Sequence, residues 1–117
     1  MIELLINLLN IPSPTFQEEE ITDFIEDWMF CHVEGMLVKT VGNSRIFSLP
    51  VIDNLPHIGF VGHTDVVPKH FEAYQSEGLL FGAGASDMKC ALAPFMMLME
   101  SCSRWLDRRL NFSFILY

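Results

Sequence analysis

The sequence has few basic residues and no long hydrophobic run. Its 117 residues include 7 Lys and Arg against 15 Asp and Glu, a formal net charge of -8 at pH 7. Nucleic acids and anionic membranes attract clustered Lys and Arg, so the scattered basic residues disfavour both as partners. A metal cation or a cationic substrate fits this charge better. The longest uncharged run, residues 4–17, is too short to span a bilayer and contains two prolines.

Cysteine is also scarce. Cys31, Cys90 and Cys102 are an odd number without a C-x-x-C pair, which argues against a disulfide framework or a zinc ribbon. We therefore expect reduced, mostly buried thiols. The chain starts with an acid at Glu3, where a signal peptide would carry Lys or Arg, so the sequence predicts no export and a cytoplasmic location.

Apolar residues, in contrast, are abundant. Hydrophobic side chains make up 50% of the sequence, with 10 Phe and 7 Met, which excludes an intrinsically disordered chain. The length allows one compact domain at most. A domain of this size buries about two-thirds of its extended-chain surface, so we expect more apolar area than the fold can hide by itself.

The first half of the chain predicts two helices. Residues 2–10 are helix-prone, and Pro12 ends that helix. Thr15 and Glu18 have the spacing of a capping box before a second helix. The core face of that helix is predicted by apolar residues at helical spacing, namely Ile21, Phe24, Ile25, Trp28 and Met29.

The second half predicts mainly strands and a third helix. A hairpin is expected around Gly42, a buried sheet strand at residues 57–61 and a further strand at 111–117, whereas residues 69–80 have no clear pattern. Asp87 is expected to be the N-cap of an apolar helix at 88–105. Pro94 inside this helix predicts a kink or a start one turn later.

His63 and Asp65 follow the predicted strand directly, and Asp87 follows a small-residue loop. Ligands bind beyond the carboxyl ends of strands in α/β sheets, and imidazole and carboxylate are zinc ligands. Side chains two residues apart in an extended segment point the same way, so Asp65 can accept the free ring N–H of His63. The H-x-D spacing alone leaves a metal site and a structural capping role for Asp87 both open.

Other interpretations of these motifs are weaker. The loop Gly82-Ala83-Gly84 lacks the third glycine and the acidic ribose ligand of a dinucleotide fingerprint. His32, His57 and His70 are predicted to be surface or core residues rather than ligands. His32 and His70 have no carboxylate at matching spacing near a strand end, and His57 lies before the buried run rather than after it.

Two longer strings carry a family resemblance. Gly62-His63-Thr64-Asp65-Val66-Val67-Pro68 and Leu80-Phe81-Gly82-Ala83-Gly84-Ala85-Ser86-Asp87-Met88-Lys89 resemble the paired signatures of the zinc amidohydrolases that include succinyl-diaminopimelate desuccinylase and acetylornithine deacetylase. The segment at residues 10–15 is similar to their N-terminus. The resemblance implies an α/β three-layer sandwich, with a mixed, mostly parallel sheet between helices.

The resemblance also implies roles for the three polar residues. His63 is expected to ligate zinc, Asp65 to orient His63 as a catalytic residue, and Asp87 to bridge two zinc ions, with cobalt or manganese as alternative metals. In the family a glutamate deprotonates the bridging water, and it lies just after the strand that residues 112–117 resemble. The sequence departs from the family at Ala83, where an arginine is common, and at residues 69–78, where no tryptophan-containing segment is recognisable.

We therefore expect residues 1–117 to form the N-terminal portion of a catalytic domain, with no second domain, that is inactive by itself. The resemblance implies a full-length homodimer that hydrolyses a small N-acyl amino acid. N-succinyl-diaminopimelate of lysine biosynthesis is the favoured substrate, and N-acetylornithine or the substrate of a related zinc carboxypeptidase is the alternative. A different class of function stays open, in which the chain is a non-catalytic fragment that associates through an exposed terminal strand.

Overall fold

The computed structural model describes residues 1–105 and 107–117, and these form helices packed on a mixed sheet. The helices are α1 (Ile2–Asn10), α2 (Glu19–His32) and α3 (Lys89–Ser103). The strands are β1 (Leu37–Val41), β2 (Ser44–Ser48), β3 (His57–Gly62), β4 (Tyr74–Ser76), β5 (Leu79–Phe81) and β6 (Asn111–Leu116). The predicted α/β class is confirmed.

The main sheet has the strand order β1-β2-β6-β3. Strands β1 and β2 are antiparallel because the two-residue connection Gly42-Asn43, with Gly42 at φ 59°, makes a tight hairpin. Strand β6 is antiparallel to β2 but parallel to β3, and a long crossover containing α3 joins β3 to β6. The sheet is mixed, as predicted, but its described pairings are mostly antiparallel rather than mostly parallel.

The core lies between the sheet and the helices. Alternate side chains of β2 and β6 point to the same face, where Phe47 and Phe114 are fully buried. They belong to one apolar cluster with residues from all three helices, including Ile25, Met29 and Met96. The described residues thus form two of the three predicted layers, a sheet and one layer of helices.

Two strands occupy positions opposite to those predicted. Strand β6, expected to be an exposed terminal strand, lies between β2 and β3, and five of its six residues are buried. Strand β3, expected to be buried, is the outermost strand of the described sheet, and Val61 is 52% exposed. An apolar run alone does not distinguish a central strand from an edge strand, which explains both errors.

The predicted helix caps do not form. Helix α2 begins at Glu19 after Glu18, and no side chain caps its N-terminus. Glu18 Oε1 instead accepts a hydrogen bond from the Phe16 N–H at 2.7 Å. The N-cap of α3 is Met88 rather than Asp87, and Pro94 lies inside the helix without delaying its start. The capping predictions were wrong because Thr15 and Asp87 have other partners.

Residues 69–80, left unassigned by the sequence, contain a small separate hairpin. Strands β4 and β5 pair antiparallel, and the turn between them places Glu77 and Gly78 at positive φ. Tyr74 and Phe81 stack across the hairpin with ring centroids 4.9 Å apart. Three-residue strands are too short to leave a clear periodic pattern.

The expected state of the cysteines holds only in part. All three are free, but only Cys102 is buried, whereas Cys31 is exposed. Burial raises the pKa of the Cys102 thiol. Within residues 1–105 and 107–117, the helices are all too short or too polar to cross a bilayer.

Candidate metal centre

The first polar residues of the site lie just after the C-terminal end of β3. Gly62 ends this strand against α3, where an added Cβ would lie 2.7 Å from Leu92 Cδ2 and 3.1 Å from Met88 Cε. The missing side chain therefore lets the strand approach the helix closely. The next residue, His63, donates its backbone N–H to Met88 Sδ at 3.3 Å. These contacts place His63 beside the loop that precedes α3.

The imidazole of His63 lies between two carboxylates. Its Nδ1 atom is 3.0 Å from Asp65 Oδ1, and its Nε2 atom is 3.1 Å from Asp87 Oδ1. The structure thus brings together all three residues that the sequence singled out. The side chain of His63 is 22% exposed, that of Asp65 37% and that of Asp87 84%. Asp87 is therefore the carboxylate most open to a ligand.

The donor atoms of this site fit a zinc-type metal ion. Imidazole nitrogen and carboxylate oxygen are both zinc ligands, and two ligand atoms on one tetrahedral zinc lie about 3.3 Å apart. The separation of His63 Nε2 from Asp87 Oδ1 is close to that value. No cluster of three or more His, Cys, Asp or Glu side chains suited to a metal occurs in the described ranges. These residues therefore supply a partial ligand set.

A segment before α2 holds Asp65 in place, and sequence reasoning missed this role. Thr15 Oγ1 donates a hydrogen bond to Asp65 Oδ2 at 2.9 Å. Ser13 Oγ donates to the carbonyl of Thr64 at 2.6 Å, and the Val66 N–H donates to the carbonyl of Ser13 at 2.8 Å. The family resemblance of residues 10–15 was the only signal in the sequence for this contact.

Lys89, in the first turn of α3, was also overlooked. Its side chain is fully buried, and its Nζ donates to the carbonyls of Leu8 at 2.9 Å and Ile11 at 2.7 Å. Burial lowers the pKa of Lys89 to about 8. In a single sequence, a lysine in a helix suggests an exposed side chain. The sequence therefore gave no indication that Lys89 is buried.

The three polar side chains open into a cleft of about 530 Å³. The loop at residues 84–87 forms one part of the lining, and apolar side chains form another part, the apolar wall. The apolar wall comprises Val66, Val67, Phe71, Leu80 and Phe81. Phe81 also stacks on Tyr74, so the β4–β5 hairpin supports this wall. The cleft therefore combines two carboxylates with an apolar surface.

Other polar groups lie outside this cleft. A larger groove of about 860 Å³ lies along the start of α2 and contains Glu18, Glu19, Glu20 and Asp23. Carboxylates in a first helical turn are favoured by the helix dipole, as the sequence predicted. His57 Nε2 lies 2.8 Å from Ser113 Oγ, and His32 stacks on Trp28. Neither histidine joins the site.

Comparisons with known proteins identify the family. The model of the peptidase family M20/M25/M40 matches residues 59–116. A hydrolase from Aeropyrum pernix, named for LysW-lysine and LysW-ornithine, is 35% identical over 95 residues, which are 81% of this chain and 27% of that protein. The succinyl-diaminopimelate desuccinylase of Parvibaculum lavamentivorans is 32% identical over 88% of this chain and 30% of its own length.

Solved structures share the fold over nearly the whole chain. Aminopeptidase PepT of Bacillus cereus superposes with a TM-score of 0.82 at 19% identity, covering 98% of this chain and 35% of that one. The YXEP protein of Bacillus subtilis, described as a dinuclear metal binding peptidase of the M20 family, gives a TM-score of 0.68 at 18% identity, with 98% and 33% covered.

The fold and the site define an α/β domain with a histidine held between two carboxylates beyond the end of a strand. The chain belongs to the peptidase family M20/M25/M40, which confirms the predicted resemblance. It spans about a third of the length of the curated relatives and solved structures that it matches.

Proposed function

We propose that this chain forms part of the metal centre of a hydrolase that cleaves the amide bond of an N-acylated amino acid. The observation that carries the proposal is the position of His63 between Asp65 and Asp87, in the lining of a cleft. The names of the relatives, a desuccinylase and a hydrolase of LysW-linked amino acids, support the same class of reaction.

The favoured substrate is N-succinyl-diaminopimelate, which would place the protein in lysine biosynthesis. It is supported by the desuccinylase of Parvibaculum lavamentivorans and by a second desuccinylase, from Acidiphilium cryptum, that is 56% identical over 48 residues. N-acetylornithine is the alternative, because the string at residues 62–68 suits both enzymes equally. We further propose that the complete protein is a cytoplasmic homodimer.

The proposed cofactor is a pair of zinc ions, with cobalt or manganese as alternatives, because all three accept imidazole and carboxylate ligands. His63 and Asp87 would hold the metal, and further ligands would come from outside the described residues. Bound metal would polarise the substrate carbonyl and lower the pKa of an attacking water. The dinuclear site named for the YXEP protein supports this assignment.

Each residue of the site has a distinct task in this mechanism. Asp65 would accept the Nδ1–H of His63 when a metal is bound, and the Nε2 lone pair would then be available to the metal beside Asp87. Thr15 fixes the second oxygen of Asp65. Asp87 adds negative charge opposite the imidazole, and the apolar wall excludes water from one side of the bound substrate.

Hydrolysis of N-succinyl and N-acetyl amino acids by the protein from the full reading frame, loaded with zinc or cobalt, tests the proposal. We expect His63→Ala and Asp87→Ala to lower kcat/KM by more than about a hundredfold, because each removes a ligand. Asp65→Asn should weaken metal binding by about 10–100-fold. His57→Ala is the matched control and should retain activity, since His57 contacts Ser113 away from the site.

Two results would contradict the proposal. One is a wild-type protein that hydrolyses none of these amides with either metal. The other is a His63→Ala protein that keeps the wild-type kcat/KM. Release of succinate at a higher kcat/KM than acetate would favour the desuccinylase, and the reverse order would favour the deacetylase.

A further inference from the structure

Lys89 carries a charge and is buried at a position where an apolar side chain would have a smaller desolvation penalty. Its exposed fraction is 0%, and no ion pair involves it within residues 1–105 and 107–117. Transfer of an ammonium group into a protein interior costs several kcal/mol unless hydrogen bonds compensate it. Methionine would fill a similar volume without that penalty. The ammonium group therefore has a task other than filling space.

The contacts of Lys89 define that task. Its Nζ binds the carbonyls of Leu8 and Ile11, at the C-terminal end of α1, where helix carbonyls lack partners. A positive charge is also favoured there by the helix dipole. Its own backbone N–H donates to the carbonyl of Gly84 at 3.0 Å. Lys89 thus joins α1 to the loop that carries Asp87.

The other end of this connection reaches Asp65. Thr15 is four residues after Ile11 in the chain. The segment between them lies alongside residues 64–66, which follow His63. In that stretch Ser13 bonds to Thr64 and Val66, and Thr15 bonds to Asp65. A displacement of Ile11 relative to Lys89 would therefore move Asp65 relative to Asp87. His63 contacts both carboxylates and would lose its position between them.

We propose that Lys89 is a positioning residue of the metal centre, whose bonds to Leu8 and Ile11 fix the distance between the segment holding Asp65 and the loop holding Asp87. Lys89 touches neither substrate nor metal in this role. The inference rests on the proposed function, since it assigns those carboxylates to one metal centre.

The test compares Lys89→Met with Lys69→Met in the protein from the full reading frame. Lys69 is an exposed lysine that lies in the chain between Val67 and Phe71, which line the cleft, so its variant is a matched control. The first measurement is a Co²⁺ titration that follows the ligand-field absorption spectrum. We expect Lys89→Met to weaken Co²⁺ binding about tenfold and to shift the bands, as changes behind metal ligands do. Reduced stability alone leaves the spectrum of the folded fraction unchanged.

The second measurement needs neither metal nor activity. Hydrogen exchange of the Val66 amide, which donates to Ser13, reports whether the segment at residues 13–15 stays in place. We expect Lys89→Met to accelerate this exchange about tenfold relative to core amides of β6. Lys69→Met should behave like the wild type in both measurements. If Lys89→Met does not fold, Lys89→Gln, which keeps an N–H donor on a shorter side chain, is tested by the same criteria.

The outcomes separate the two proposals. Wild-type Co²⁺ affinity, spectrum and Val66 exchange in a folded Lys89 variant would overturn the positioning role. Changes in all three that are absent in Lys69→Met would support it. A wild-type protein that binds Co²⁺ but cleaves no N-acyl amino acid would refute the proposed function and leave the test of Lys89 intact. A wild-type protein that binds no Co²⁺ would refute the metal centre and, with it, the role of Lys89 there.

Discussion

Single residues at this site are fixed by contacts that come from distant parts of the chain. Thr15 and Asp65 are 50 positions apart, and Lys89 and Leu8 are 81 positions apart. The sequence singled out His63, Asp65 and Asp87 because these residues belong to short motifs that can be recognised without knowing the fold. It did not single out Thr15 or Lys89 for a site role, because a hydroxyl or an ammonium acquires its partner only when the chain folds.

Gly84 gives a test of close packing at the residue scale. It has φ 83°, and an added Cβ would lie 2.6 Å from Val66 Cγ1 and 3.1 Å from Lys89 Cδ. Gly84→Ala should lower the free energy of unfolding by about 2–4 kcal/mol, from backbone strain and overpacking together. Urea denaturation followed by circular dichroism measures this loss.

Gly78→Ala is the control for the backbone contribution. Gly78 has φ 78°, but nothing lies within 4 Å of an added Cβ. This variant should lose only about 1–2 kcal/mol. Equal losses in the two variants would show that contact with Val66 and Lys89 does not limit the packing at Gly84.

At the scale of elements, the sequence predicted which helices and strands exist better than it predicted the contacts that surround them. The helix at residues 2–10 and the β1–β2 hairpin follow from periodicity and turn residues, and the structure has both. The capping of α2 and α3 was not predictable, because Thr15 and Asp87 bond to residues across the fold rather than to their own helices. The β4–β5 hairpin was missed because its strands have three residues each.

Pro94 provides a prediction for α3. It lies inside the helix on an exposed position, and its missing N–H leaves the Cys90 carbonyl without its helical partner. Pro94→Ala should therefore raise the free energy of unfolding by about 1–3 kcal/mol. Thermal denaturation measures the change, with Ser101→Ala, an exposed position in the same helix, as a control that should gain less than about 0.5 kcal/mol. A loss of stability in Pro94→Ala would show that the proline ring contributes to packing.

On the scale of the whole molecule, apolar surface remains exposed, as the composition predicted. Ile58 and Val61 of β3, and Leu37 and Val41 of β1, are more than a third exposed. Both strands lie at the edges of the described sheet. Charged side chains protect an edge from pairing with another chain, and β1 carries Lys39, whereas β3 has no Lys, Arg, Asp or Glu. If the chain self-associates, as the alternative hypothesis holds, it would therefore do so through the edge strand β3 and not through β6.

This difference between the edges predicts how the 117-residue chain associates. We expect concentration-dependent self-association in sedimentation equilibrium, and Val61→Lys should reduce it because it places a charge on β3. Val41→Lys is a matched control on β1, since both valines are 52% exposed. A monomer at all concentrations, or equal effects of the two substitutions, would contradict this assignment.

The central position of β6 also bears on how the molecule folds. Strands β2 and β3 make no direct pairing in the described sheet and are joined only through β6, which follows both in the chain. His57 of β3 pairs with Asn111 of β6, and this contact closes a long loop that contains His63, Asp65 and Asp87. Such non-local pairing slows folding, because the entropy of loop closure is lost before the contacts form. We therefore expect His63, Asp65 and Asp87 to take their places only after the chain has closed around them, late in folding.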